Sequence, residues 1–184
     1  MLIDITLKIT AEMLEEANTN KNKALAGHLG THFDAMNKEF PLEYTERKGI
    51  IFDVSSVTAR DIDLEDIDLS LVGKDMFVAF YSGYIEKESY GSKVYFSEHP
   101  QLSDKLIDAL LDKGVSIIGL DFAGVRRGKE HTPKDQYCAE RGTFIVENLC
   151  NLKQLINRDG FVACTYPLSC QVITGLPCRV IAKV

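Results

Sequence analysis

The chain is short of positive charge: its 184 residues carry 21 lysines and arginines against 27 aspartates and glutamates, a formal charge of −6 and a pI near 5.2. That deficit argues against a general nucleic-acid binder, which needs a basic surface for the phosphate backbone. Paired cysteines are missing too. Cys138, Cys150, Cys164, Cys170 and Cys178 form no C-x-x-C pair, and their odd number leaves one over in any disulfide scheme. They read as reduced thiols of a cytoplasmic protein. There is no membrane-spanning run, since the longest charge-free stretch, Gly160 to Cys178, is interrupted by Pro167, Ser169, Gln171, Gly175 and Pro177. The opening MLIDITLKIT places Asp4 before Lys8 and has no basic region leading into an apolar run, so it reads as a strand rather than a signal peptide. Low-complexity tracts, internal repeats and Pro/Gly/Ser-rich linkers are also absent, and the expectation is one domain over residues 1–184. With 45% hydrophobic and 26% charged residues, the composition suits a full core and excludes disorder as the whole answer.

What is present is mostly strand. Ile3 to Ile9 alternates apolar and polar residues with period two, and Thr10 to Ala24 reads as a short helix running into a loop. Short runs rich in Val, Ile or Phe predict strands at Gly49–Val54, Met76–Tyr81, Val115–Leu120, Thr143–Val146, Phe161–Thr165 and Cys178–Ala182. Between them, Leu106, Ile107, Leu110 and Leu111 make one apolar stripe on a helix from Ser103 to Lys113, with Ser103 as its cap and Gly114 as its stop. A helix over Asp135–Arg141, then Gly142 and a strand, repeats that step. The pattern predicts an α/β or α+β domain with a mixed sheet.

Histidine is scarce, with four in the chain, yet His28 and His32 fall in one nine-residue stretch with Asp34. If that stretch is extended, His28, Gly30, His32 and Asp34 project from one face, and Gly30 leaves room for an ion held by two imidazoles and a carboxylate at about 2.0–2.2 Å. Two nitrogens and one oxygen suit Zn²⁺, Mn²⁺ or Fe²⁺. The alternative is a glycine-containing turn whose histidines satisfy buried backbone groups while Asp34 caps a neighbour. A helix would also align His28 with His32, although Gly27 and Gly30 work against one.

The stretch His28-Leu29-Gly30-Thr31-His32-Phe33-Asp34-Ala35 resembles the metal-ligand motif of the cyclase-like metal-dependent hydrolases, the family that includes bacterial kynurenine formamidase and isatin hydrolase. The resemblance continues through His99-Pro100-Gln101-Leu102-Ser103, Gly119-Leu120-Asp121, Gly142 to Leu152, Pro167-Leu168 and Gly175 to Ala182. It implies a swivelling β/β/α fold, a divalent metal such as Zn²⁺ or Mn²⁺, a homodimer or homotetramer, and hydrolysis of an amide or formamide of a small molecule by metal-activated water. N-formylkynurenine, an intermediate of tryptophan catabolism, or a cyclic amide would be the substrate. The resemblance makes Glu147 a carboxylate ligand and expects a histidine twelve residues before it. Asp135 stands there instead, with His131 the nearest histidine, so either one is a candidate ligand. It also expects an acid/base histidine where this chain has Lys38, followed by Glu39, and these two become the catalytic candidates. His131 follows the charged segment Arg126-Arg127-Gly128-Lys129-Glu130 and reads as part of a mobile loop. A non-catalytic relative that keeps the fold and binds a metal or small molecule is the other reading.

Overall fold

Residues 1–19, 27–170 and 172–184 are described by the computed structural model. Among them lie eight strands: β1 (Leu2–Asp4), β2 (His32–Asp34), β3 (Glu46–Asp53), β4 (Phe77–Tyr81), β5 (Ile117–Leu120), β6 (Phe144–Glu147), β7 (Phe161–Pro167) and β8 (Gly175–Lys183). The α-helices of the same residues are α1 (Ala11–Thr19), α2 (Tyr84–Lys87), α3 (Lys93–Glu98), α4 (Asp104–Asp112) and α5 (His131–Glu140). Strands β3, β4, β5 and β6 run parallel side by side, while β1, β2, β7 and β8 pair antiparallel. The long β8 closes the sheet: Gly175 to Pro177 pair with β2, and Cys178 to Lys183 pair with β7. The result is the mixed α/β fold expected, with its sheet wound into a ring.

Alternation along the strands sorts the apolar residues into two cores. Phe77 and Ala79 of β4, Ile117 of β5, Phe144 and Val146 of β6 and Phe33 of β2 fill the ring. Their neighbours Val78, Phe80, Ile118, Leu120 and Ile145 face outward onto Leu106, Ile107, Leu110 and Leu111 of α4. Parallel strands buried on both faces read as the continuous apolar runs seen in the sequence. Helix α4 starts where Ser103 Oγ accepts the Leu106 amide at 3.1 Å, and it ends before Gly114 at φ +70.

Several boundaries differ from expectation, among them β3, which starts at Glu46 rather than Gly49, and β8, which starts at Gly175 rather than Cys178. The first strand stops at Asp4 because its carboxylate accepts the Thr6 amide at 3.1 Å and turns the chain; a single bridge from Thr6 to Leu149 follows. The last helix begins at His131 rather than Asp135, with Pro133 in its first turn, where a missing amide hydrogen costs nothing. The expected helix after Thr10 is seen as α1, and residues 20–26 of that segment lie outside the described residues. No helix among the described residues is long and apolar enough to cross a membrane.

Candidate metal centre

Strand register brings the acidic and imidazole side chains together. In the β2–β6 pair His32 lies opposite Glu147 and Asp34 opposite Ile145, while Phe33 opposes Val146. Because Phe33 and Val146 point into the ring, His32, Asp34 and Glu147 share the outer face. Helix α5 crosses that face, and its residues His131 and Asp135, one turn apart, meet at 3.0 Å between Nε2 and Oδ2. His28 arrives from the turn before β2. Gly27, at φ +81, is required there, since a Cβ would stand 2.0 Å from Gly175 O.

Two overlapping groups result: His28, His32 and Asp34, and Asp34, His131, Asp135 and Glu147. Asp34 belongs to both. His28 Nδ1 lies 2.9 Å from His32 Nε2 and 3.1 Å from Asp34 Oδ1, and His28 Nε2 lies 2.9 Å from Thr174 Oγ1. The Nδ1 of His32 donates to Gly30 O at 2.9 Å, leaving Nε2 to face Asp34 at 3.6 Å and Glu147 at 3.7 Å. On the other side, His131 Nε2 lies 3.1 Å from Glu147 Oε1.

Charge at this density is costly unless something compensates it. Asp34, Asp135 and Glu147 are 1%, 2% and 3% exposed. Asp34 Oδ2 and Asp135 Oδ1 are buried without a hydrogen-bond partner, and Glu147 Oε1 has only His131. Burial pushes the carboxyls of Asp135 and Glu147 up, reinforced by Asp34. Burial opposes protonation of His32, but Asp34 and Glu147 outweigh it and raise its pKa to about 9. His131 rises to about 11, where bonds to Asp135 and Glu147 overcome its burial. Protons on the imidazoles thus do in the metal-free chain what a divalent cation would do better. Three imidazoles and three carboxylates, with orphaned oxygens among them, fit such an ion.

The groups line a cavity of about 280 Å³ whose other walls include Met36, Phe96, Ala123, Thr132, Asn148 and Thr174. The structure therefore brings together His28, His32, Asp34, His131, Asp135 and Glu147. It does not bring Lys38 or Glu39 to them. After Asp34 the chain turns at Met36, at φ +56, and closes with a bond from Lys38 N to Ala35 O; both side chains are exposed and neither lines the cavity. Gly30 also plays a different part from the one expected. The strand starts only at His32, Gly30 sits at φ +72, and a Cβ there would meet Ile9 Cδ1 at 2.4 Å, so its bareness makes room for Ile9 rather than for an ion. His131 heads a helix rather than a mobile loop, and Arg126 before it is tied to Asp61 and Glu130. His99 is structural: buried, stacked on Phe122 and bonded through Nδ1 to Pro100 O. Sequence reasoning missed Thr174, which meets His28 at the cavity wall, and Tyr90 and Tyr95, which bond to Gly30 and Asn148 beside the site; all three come from distant segments and leave no local signal.

Residues 3–126 match the cyclase family, described as "Putative cyclase"; the match contains His28, His32 and Asp34 and stops before His131. No curated protein matches the sequence. Among solved structures, the chain is similar to a potential metal-dependent hydrolase with cyclase activity, with a TM-score of 0.74 at 21% identity over 99% of this chain and 96% of that one. It is also similar to isatin hydrolase A from Labrenzia aggregata bound to benzyl benzoate, with a TM-score of 0.70 at 21% identity over 83% of this chain and 72% of that one. A protein described as a predicted metal-dependent hydrolase from Bacillus stearothermophilus gives 0.69 at 20% identity over 99% and 97%. These likenesses show the fold, and the family match, which spans more than half of the sequence, shows that the chain belongs to the cyclase family.

Proposed function

We propose that the protein is a metal-dependent hydrolase acting on an amide or formamide bond of a small molecule. One observation carries the reading: two donor groups share Asp34 around buried carboxylate oxygens that have no hydrogen-bond partner. His28 through Nδ1, His32 through Nε2 and Asp34 would hold the ion, Zn²⁺ or Mn²⁺. Bound there, it supplies a water acidified toward neutral pH and a Lewis acid for a carbonyl oxygen. Met36, Phe96 and Ala123 give the cavity apolar walls, which suit an aryl formamide or a cyclic amide; isatin, the substrate named for one structural relative, is a fitting probe. Among the described residues, every titratable one lining the cavity belongs to the two groups, so these are the side chains that would hand a proton to the leaving nitrogen. If the first group alone holds an ion, the His131–Asp135 pair carries that proton. If His131, Asp135 and Glu147 hold a second ion, the stoichiometry is two per chain.

The second reading, a non-catalytic relative that binds a metal or small molecule, is favoured by Lys38, which stands at the family's acid/base position and lies in solvent. Metal content per chain, measured for untagged protein and for His32→Ala, together with hydrolysis of isatin and aryl formamides by Zn²⁺- and Mn²⁺-loaded protein, separates the two. Metal with turnover supports the hydrolase, and metal without turnover supports the binding protein. No metal in either protein, even after loading, rejects the hydrolase and leaves only a relative that binds a small molecule. The reading includes a single cytoplasmic domain forming a homodimer or homotetramer, which sedimentation checks.

A further inference from the structure

The segment between β4 and α4 does more than wall the cavity. Tyr95, 0% exposed and set among the rings of Tyr84, Tyr90 and Phe96, donates its hydroxyl to Asn148 Oδ1 at 2.8 Å. Asn148 Nδ2 donates in turn to Gly30 O at 2.9 Å, the same oxygen that receives His32 Nδ1. Tyr90 takes the other end of the Gly30 residue, its hydroxyl oxygen accepting the Gly30 amide at 2.6 Å. Asn148 is itself held at φ +58, with its amide on Phe122 O and its carbonyl receiving Thr31 Oγ1 at 2.8 Å.

The direction of every bond in this chain is forced. A carbonyl oxygen only accepts, so both His32 Nδ1 and the facing atom of Asn148 must be donors. The amide of Asn148 then presents its oxygen to Tyr95, and that hydroxyl must donate. Nδ1 of His32 therefore always carries a hydrogen, and Nε2, which faces Asp34 and Glu147, is the nitrogen whose lone pair is freed for a metal when its proton leaves. We propose that Tyr95 and Asn148 are positioning residues that, through the Gly30 carbonyl, fix the tautomer and ring orientation with which His32 binds the metal. The proposal rests on the metal-centre reading. It assigns a function to the β4–α4 segment, which reaches across from the far part of the chain to hold the residue two places before the ligand.

The test uses the full chain and metal alone. Zn²⁺ affinity is measured by chelator competition, the ligand field by the visible absorption of the Co²⁺ form, and folding by thermal melting. Tyr95→Phe removes the donor that orients Asn148 and is expected to weaken Zn²⁺ binding about 10-fold and shift the Co²⁺ bands; Asn148→Gly, which keeps the positive φ, is expected to cost about 100-fold. Tyr84→Phe deletes a hydroxyl of the same segment, bonded at 3.0 Å to Val94 O, and is expected to leave both readouts unchanged. A merely structural role would lower the melting temperature without moving the Co²⁺ spectrum of folded protein. Tyr95→Phe with wild-type affinity and spectrum overturns the proposal, and that variant decides the matter if Asn148→Gly does not fold. A wild-type chain that takes up neither ion rejects the metal centre and the proposal with it, whereas failure of the variants to differ from a metal-binding wild type rejects the proposal alone.

Discussion

The two faces of the β2–β6 pair are built from the same seven residues and do opposite things. Inward, Phe33, Phe144 and Val146 join Phe40, whose ring lies 4.6 Å from Phe33 and 5.3 Å from Phe144. Outward, His32, Asp34 and Glu147 crowd charge into a space with too few hydrogen-bond donors. One face stabilises the ring, and the other consumes stability to keep a set of donors in place. That division is what a fold looks like when it carries a site: buried carboxylates held near one another are a cost that protonated imidazoles offset in part and a bound cation would offset further.

The comparison breaks most readily at Asp34, the residue shared by both groups. Asp34→Asn is expected to empty the centre entirely, reducing metal content to none and hydrolysis to background, as elemental analysis and isatin turnover would show. On the inner face, Phe144→Ala should cost about 3–5 kcal/mol in denaturant unfolding while metal content of the folded protein is kept. Retention of wild-type stability would mean that the ring interior is not the stabilising face.

Proton competition sharpens the contrast. With His32 raised to about 9 and His131 to about 11, binding an ion below those values expels a proton from each imidazole it uses. Zn²⁺ affinity should therefore rise with pH between 6 and 8, by about tenfold per pH unit for each proton released, and calorimetry in two buffers counts those protons. Asp135→Asn should act in opposite directions on two readouts. Its carboxyl is pushed up by burial and by Asp34, so ionising it opposes folding above the usual carboxylate range. The variant is expected to melt higher than wild type in the metal-free form near pH 7 and to bind Zn²⁺ more weakly. At the small end, Lys38→Ala and Glu39→Gln, both exposed, should change metal content and turnover by less than about twofold, within the range of ordinary surface substitutions.

Much of the site is legible from one end of the chain. His28, His32 and Asp34 lie within a stretch of seven residues, and covalent geometry alone keeps them near one another whether the segment is a strand or a turn. The strands β3 to β7 and the capped helix α4 are legible as well, because period two and the Ser103–Gly114 punctuation are local. Local reading misplaces Lys38 and Glu39, since a turn at Met36 reverses the direction that proximity in sequence suggests. It also leaves Asp135 and His131 as alternatives, when successive turns of α5 deliver both.

The sequence by itself therefore determined the alternation that gives each strand two faces, the first trio of candidate ligands and the resemblance that names the family. Only the tertiary structure decided that β8 closes the ring, that Glu147 stands opposite His32, that α5 lays His131 and Asp135 across them, and that Tyr95 reaches Gly30 through Asn148. The reason is physical: spacing along one segment is set by bond geometry, whereas strand register and the seating of a helix are set by side chains far apart in the chain that must bury the same apolar surface together.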